Sequence, residues 1–467
     1  MFLAKWIGAV ALSLFAASAL AQTNPGFSDG APLCANVPNP KCPGQTTSLN
    51  SALTGKADYP ATTGGVAVSG PAVSGNVPIA TGSSSASWGS LPGAGSSTAS
   101  QTASGQFNVN ATSLLHWRAA IARVRAGLGR GTVVIFGASE SMGGGAGSGG
   151  TAELNGAQSF SWPADLAAIL GTSVPTSYNS LFCDNGATSN AGVAYGTYDT
   201  RVTPGANWSV NGASCMGGSM FKYTVGAANN FSFAPPKSFD TIKYWFFTAT
   251  GNGTSTINVD GGASLGTINY GATNFVVTTN TYSVTAGTHT INIVPNNDAS
   301  FQFLGLVTYL STTPAIDIID AANYGSQSGF YIANGPPWNP IPILNMMAPD
   351  LVIYGMTNND CAVPTPIATF TANIQTVITT QQSHGDIILT SEVPQNNSFW
   401  TSGSCAAYVS ALRSLAALNN IPFLDLSARW ISYANINPVM PYGDFNHPGK
   451  SGYQDWALAV AEILINP

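Results

Sequence analysis

Three short segments, in the order Ser, Asn, His, carry residue types that can support acyl transfer. The first is Gly137-Ala138-Ser139-Glu140-Ser141-Met142-Gly143, directly after the apolar run Thr132 to Phe136. A serine in a tight turn at the carboxyl end of a parallel strand presents its hydroxyl to the crevice where α/β proteins bind ligands. Alone, in a glycine-rich chain, the segment reads more readily as a plain Gly/Ser turn. The adjoining run Gly143 to Gly150 lacks the Lys of a phosphate-binding loop. The second segment, Met356-Thr357-Asn358-Asn359-Asp360, also follows an apolar run; a side-chain amide there can donate to an oxyanion, which matters only beside a nucleophile. The third is Asp444-Phe445-Asn446-His447-Pro448, where an imidazole can take the serine proton and a carboxylate three residues earlier can orient it. Of the other histidines, His116 lies on a predicted helix, His289 in a β-rich stretch and His384 just before a strand. Only His447 combines a loop position with an acid placed to orient it.

The elements that must position these groups are legible in the periodicity. Thr112 or Ser113 is expected to cap a helix carrying Leu114, Leu115, Trp117, Ile121 and Val124, ended by Gly127 and Gly129. Thr132 to Phe136 reads as a buried parallel strand, and further strands are predicted within Met346 to Thr357, at Asp386 to Glu392 and at Ile421 to Leu426. Helices are predicted at Ile367 to Gln382, Ala406 to Leu418 and Gly452 to Leu464. Strands alternating with helices of this length imply a parallel sheet covered on both faces, a three-layer αβα, flavodoxin-like body. Between about Gly192 and Leu310 the pattern changes to alternating runs such as SFDTIKYWFFTAT and THTINIV, separated by glycine turns. That stretch reads as an inserted antiparallel module of β-sandwich or jelly-roll type.

The 467 residues are 44% hydrophobic but only 7% charged, against about 25% in ordinary soluble proteins, with 51 Gly and 29 Pro. That glycine and proline content argues against long uninterrupted helices and coiled coils. A net charge of -6 leaves no excess of cations for phosphates, and the one cluster, Arg118, Arg123, Arg125 and Arg130, reads as a solvated face; no nucleic-acid partner is expected. Residues 1–21 combine Lys5, an apolar run from Trp6 to Leu20 and the Ala19-Leu20-Ala21 pattern of a cleaved secretory leader. No later segment is apolar enough for stable membrane insertion, so the expected location is secreted or periplasmic. In that oxidising setting the simplest pairing of the six cysteines joins neighbours: Cys34 with Cys42, Cys183 with Cys215, and Cys361 with Cys405. From Gln22 to about Val109 the chain is Ser, Thr, Gly, Ala and Pro with hardly a charge, which reads as a linker, stalk or arm.

Taken together, the three segments resemble the SGNH hydrolases, the GDSL-type esterases. Asp444, His447 and Pro448 match that family's last block without a gap. The resemblance implies Ser139 as nucleophile, His447 as base, Asp444 as its orienting acid, and an oxyanion hole from the Ser139 N–H, a glycine N–H and Asn359, which Asp360 follows. The family's glycine block is approximated by Asn323-Tyr324-Gly325-Ser326-Gln327-Ser328-Gly329, one residue longer than usual; Gly329 is taken as the donor, with Gly325 the alternative. Two departures stand out: Ala138 replaces the usual acid of the first block, so the nucleophile loop must be braced from elsewhere, and Thr357 replaces a glycine.

The resulting organisation is a leader at 1–21, an arm or linker at 22–110, hydrolase parts at 111–191 and 313–467, and an inserted β module at 192–312. The implied activity is serine-ester hydrolysis without metal or cofactor, on a substrate such as an acylated polysaccharide, with O-acetyl the expected group. The polysaccharide part rests on the aromatic-rich insertion and the polar arm, an arrangement that resembles carbohydrate-active members of the family; the competing reading is a non-catalytic glycan-binding or phage tail-like surface protein, favoured by the arm, part of which resembles tail-fibre sequences.

Overall fold

A parallel sheet organises the chain around its buried β-branched runs. The computed structural model describes residues 105–465 apart from 111, 150–152, 184–193 and 228, together with three strands at Ala67–Ser69, Asn76–Gly82 and Ser85–Ser90. The leader and the Cys34/Cys42 pair lie outside the described residues. Contacts divide the chain at residue 94. In the first unit Ser85–Ser90 pairs parallel with Ala67–Ser69 and antiparallel with Asn76–Gly82. The composition argument did not foresee these strands, because strand pairing uses N–H and C=O groups that almost every residue carries whatever its side chain.

In the second unit the main sheet contains β1 (Gln106–Phe107), β2 (Gly131–Phe136), β3 (Thr176–Ser177), β4 (Ile316–Asp320), β5 (Leu351–Gly355), β6 (Asp386–Thr390) and β7 (Phe423–Leu424). The order is β1-β7-β6-β5-β2-β4-β3, with every pairing parallel except that of the edge strand β1. Alternate residues of β2 enter different cores. Val134 and Phe136 pack with Ile343, Ile374, Val377 and Leu412, from helices Pro340–Met347, Ile367–Gln382 and Ala406–Asn419. Val133 and Ile135 pack with Trp117, Leu166, Trp456 and Val460, from helices Leu115–Arg125, Trp162–Leu170 and Lys450–Ile465.

The first helix begins later than its capping residues suggested. Leu114 is the N-cap and makes no side-chain cap, while Ser113 Oγ bonds to Asn110. The Asp386 carboxylate, from β6, instead accepts from Trp117 N at 2.8 Å and satisfies an open N–H of the first turn. The arginine cluster is likewise tied down in part: Arg123 pairs with Asp350 at 2.9 Å, and Arg130 pairs with Asp317 and lies over the Tyr309 ring.

Between β3 and β4 the chain builds two antiparallel sheets. One runs Val276–Gly287, Phe239–Thr248, Phe301–Tyr309, Gly218–Tyr223, Trp208–Cys215; the other runs Gly266–Asn269, Thr254–Val259, Ile291–Pro295, Phe231–Phe233, Val202–Pro204. The strand Ser180–Phe182 also joins the first sheet, on Phe301–Tyr309. Residues of both sheets share an aromatic core in which Tyr270 stacks on Phe301 at 4.1 Å and Phe221 on Phe303 at 4.7 Å. Most large aromatics of the insertion are therefore interior; Phe275, 58% exposed, is an exception. Disulfides join Cys183 to Cys215 and Cys361 to Cys405, as neighbour pairing predicted. No helix of the described residues is long and apolar enough to cross a membrane.

Candidate active site

The three sequence segments converge at the carboxyl ends of β2 and β5 and in the loop before the last helix. Ser139 Oγ lies 2.9 Å from His447 Nε2, although 308 residues separate them. His447 Nδ1 faces both carboxylate oxygens of Asp444, at 2.8 and 3.0 Å. A carboxylate accepts only, so Nδ1 carries the proton and Nε2 of the neutral ring is left to accept from the serine hydroxyl. Asp444 also accepts from the backbone N–H groups of Asn446 and His447, each at 2.7 Å. Burial raises the Asp444 carboxyl, but its hydrogen bonds and the imidazole outweigh that and hold it below the ordinary value. Burial disfavours the charged imidazole of His447; the Asp444 bond and the charges of Glu140 and Asp444 win, and the His447 pKa is raised.

Backbone geometry dictates the glycines of the first block. A Cβ on Gly137 would lie 2.0 Å from Ser141 Oγ, so the turn closes only without one. Tyr331 supplies the brace missing at Ala138: its hydroxyl donates to Gly137 O at 2.6 Å and accepts from Gly137 N at 3.2 Å. Trp162 Nε1 fixes Ser141 Oγ at 3.1 Å.

The glycine run after Ser139 is a bed for the imidazole. A Cβ on Gly144 would stand 2.8 Å from His447 Cδ2, and one on Gly145, whose φ is +80°, 2.8 Å from His447 Cβ. Tyr453 OH, from the last helix, donates to Gly144 O at 2.6 Å and pins this bed. Gly144→Ala is expected to displace the ring and lower kcat/KM by about 10²-fold, the usual cost of an ångström of misplacement. Steady-state kinetics beside a circular-dichroism check of folding measures it; unchanged kcat/KM would show that the ring tolerates the shift.

The second segment divides its labour. Asn359 Nδ2 donates to Ser326 O at 3.0 Å, which sets it against the Asn323–Ser326 turn; that turn is tied by Asn323 N to Gly137 O at 2.9 Å. Gly325 in this turn has φ +72°, with open space where a Cβ would be. Gly329 sits one turn on, in Ser328–Phe330, where Asp360 accepts from Ser328 N and Oγ, each at 2.8 Å. Thr357 bonds to Glu392 in both directions, at 2.8 Å through its N–H and 2.9 Å through its hydroxyl.

Sequence reasoning passed over Glu140, Asn358 and Glu392. Glu140 is buried beside Ser139, its Oε2 3.3 Å from Ser139 Oγ; its Oε1 accepts from Asn358 Nδ2 at 2.6 Å and Gln395 Nε2 at 2.8 Å. The available signal was scarcity: these acids are two of only four glutamates in the chain, one adjoining Ser139 and one closing a predicted strand.

A solved structure of a peptidoglycan O-acetylesterase is similar to this chain with a TM-score of 0.55, over 76% of this chain and 97% of that one, at 13% identity. The chain has the SGNH hydrolase fold. A family two carbohydrate esterase from Cellvibrio japonicus is similar over 57% of this chain and 96% of that one, at 13% identity and a TM-score of 0.26. No family model matches the sequence, and no curated protein matches it. At these identities the likeness is one of fold. Within the SGNH fold here, Ser139 follows β2, Asn359 follows β5 and His447 precedes the last helix.

Proposed function

We propose that the protein is an exported serine esterase that removes O-acetyl groups from a polysaccharide, its catalytic body a three-layer αβα domain. The observation that carries this reading is the continuous hydrogen-bonded chain from Ser139 through His447 to Asp444 at the carboxyl edge of a parallel sheet. The named activity of the peptidoglycan O-acetylesterase that shares the fold supports the acetyl and glycan parts. The two disulfides and the leader-like first 21 residues support export.

In the proposed reaction Ser139 Oγ attacks the ester carbonyl carbon while its proton passes to His447 Nε2. Asp444 holds the ring and stabilises its charged form. His447 then protonates the departing sugar oxygen, the acyl group stays on Ser139, and water activated by the same imidazole releases it. The oxyanion is held by the Ser139 N–H, the Asn359 amide and a glycine N–H. Gly325 is the better supported glycine, because its turn is bonded both to Gly137 and to Asn359. A purely glycan-binding role would leave the Ser–His–Asp chain without a use.

The test is acetate release from O-acetylated peptidoglycan and an O-acetylated plant polysaccharide, beside p-nitrophenyl esters of increasing chain length. Release that falls steeply beyond acetyl is expected; no hydrolysis of any ester would refute the reading. Asn359→Ala is expected to lower kcat by about 10²–10³-fold with little change in KM, the signature of a lost oxyanion donor. An equal rise in KM instead would assign Asn359 to substrate binding.

The pH profile follows from the sign of the His447 shift. Only the neutral ring accepts the serine proton, and its pKa is raised above 6.5. The acid limb of kcat/KM is therefore expected above pH 6.5, with activity appearing as pH rises through it. A limb below that value would contradict the arrangement.

A further inference from the structure

Glu140 and Glu392 form a buried carboxyl pair that the proposed reaction does not use. Glu392 lies wholly inside the protein and Glu140 is 1% exposed. Asn358 bridges them: its backbone N–H donates to Glu392 Oε2 at 2.5 Å, and its side-chain amide donates to Glu140 Oε1 at 2.6 Å. One residue thus bonds to both carboxyl groups and sets them side by side. Among the described residues no lysine or arginine bonds to or pairs with either carboxyl group. Facing the pair are Tyr354 from β5, Tyr324 from the glycine-block turn, Tyr442, Asp444 and His447 from the loop before the last helix, and Tyr453 from that helix.

Two adjoining carboxylates in a dry site without a cation cannot both stay ionised. The donors decide which keeps the proton. Glu140 Oε1 accepts from two amides, the environment of an anion. Glu392 Oε2 accepts two backbone N–H groups, but its Oε1 meets no donor. An oxygen without a donor beside a carboxylate is where a shared proton sits.

We propose that Glu392 is a permanently protonated carboxyl group that donates to an ionised Glu140, fixing one negative charge beneath the Ser139–His447 pair. Glu140 is then a positioning residue: its charge favours the imidazolium that forms during attack. Burial and the neighbouring Glu140 both raise Glu392, in agreement. This role in the reaction rests on the esterase reading; the protonation state does not.

The experiment has two arms. In the first, kcat/KM for p-nitrophenyl acetate is followed against pH for the wild type, Glu140→Gln and Glu392→Gln. Glu140→Gln removes the charge and is expected to move the acid limb down by about one pH unit. Glu392→Gln replaces a protonated carboxyl by an amide that donates the same bond, so its acid limb stays in place. A downward shift of similar size in Glu392→Gln, or no shift in Glu140→Gln, would overturn the proposal. In the second arm, infrared difference spectroscopy of wild type against Glu392→Gln at pH 7 is expected to show the carbonyl stretch of a protonated carboxyl group in the wild type, lost in the variant. Its absence overturns the proposal. Because this arm needs no turnover, a protein without esterase activity still tests the pair, and a variant that fails to fold is replaced by a pH titration of the wild-type band.

Discussion

Replacing Ser139 with alanine is expected to lower kcat by on the order of 10⁶-fold while leaving the fold intact. In the proposed reaction the hydroxyl forms the covalent bond, and no other described serine lies within hydrogen-bonding distance of His447 Nε2. The substitution removes one oxygen atom from a side chain whose neighbours are held independently, His447 by Asp444 and the turn by Tyr331. Asp444→Asn is expected to cost less, on the order of 10⁴-fold, because the nucleophile and base remain and the amide favours the wrong imidazole tautomer. Active-site titration with a serine-directed phosphonate, read by mass spectrometry, checks the assignment separately from turnover: one adduct on the wild type, none on Ser139→Ala. An adduct on a different serine, or equal rates in both proteins, would remove Ser139 from the mechanism.

The second large effect concerns stability, at the start of the insertion. Arg201 pairs with Asp199 at 2.7 and 2.9 Å and donates to the carbonyls of Tyr178 and Ser180, at 2.8 and 3.2 Å. Its guanidinium also lies 5.2 Å from the Phe233 ring, so one side chain ties the strand leading from β3 to the first strands of the β module. Asp199 is 1% exposed. Arg201→Met leaves that carboxylate buried without its partner, at an expected cost of about 3–5 kcal/mol in urea unfolding. The double variant Asp199→Leu/Arg201→Met is expected to lose less than the single, since the Asp199 charge is removed together with its partner. Arg125→Met, on an exposed part of the first helix, serves as control and is expected within about 0.5 kcal/mol of wild type. A single variant as stable as the control would mean that the pair contributes nothing to folding.

The sequence was most informative where chemistry and pattern are local. The β-branched runs of β2, β5 and β6 announced buried parallel strands, and the Asp444-x-x-His447 spacing contains its own hydrogen bond, so base and orienting acid were readable together. The strict alternation of the insertion marked it as antiparallel, but alternation says only that one face is buried. That its aromatics would stack in a core shared by two sheets, leaving few for a ligand, depended on the packing of strands distant in the chain.

What the sequence alone determined is the kind of protein: a parallel α/β body with a β insertion, and a Ser, Asn and Asp/His set of the right types. These follow from short-range pattern, because strand period, turn chemistry and i to i+3 contacts involve residues close together. Tertiary structure alone decided how the set is held. The bond from Asn358 to Glu140 spans 218 positions, the Asp386 carboxylate that finishes the first helix reaches across 269, and the glycine bed of His447 is formed by residues some 300 positions away. Such partners carry no mutual signature along the chain. A buried polar group must find a partner wherever the fold brings one, and that is settled only when the strands have been laid side by side.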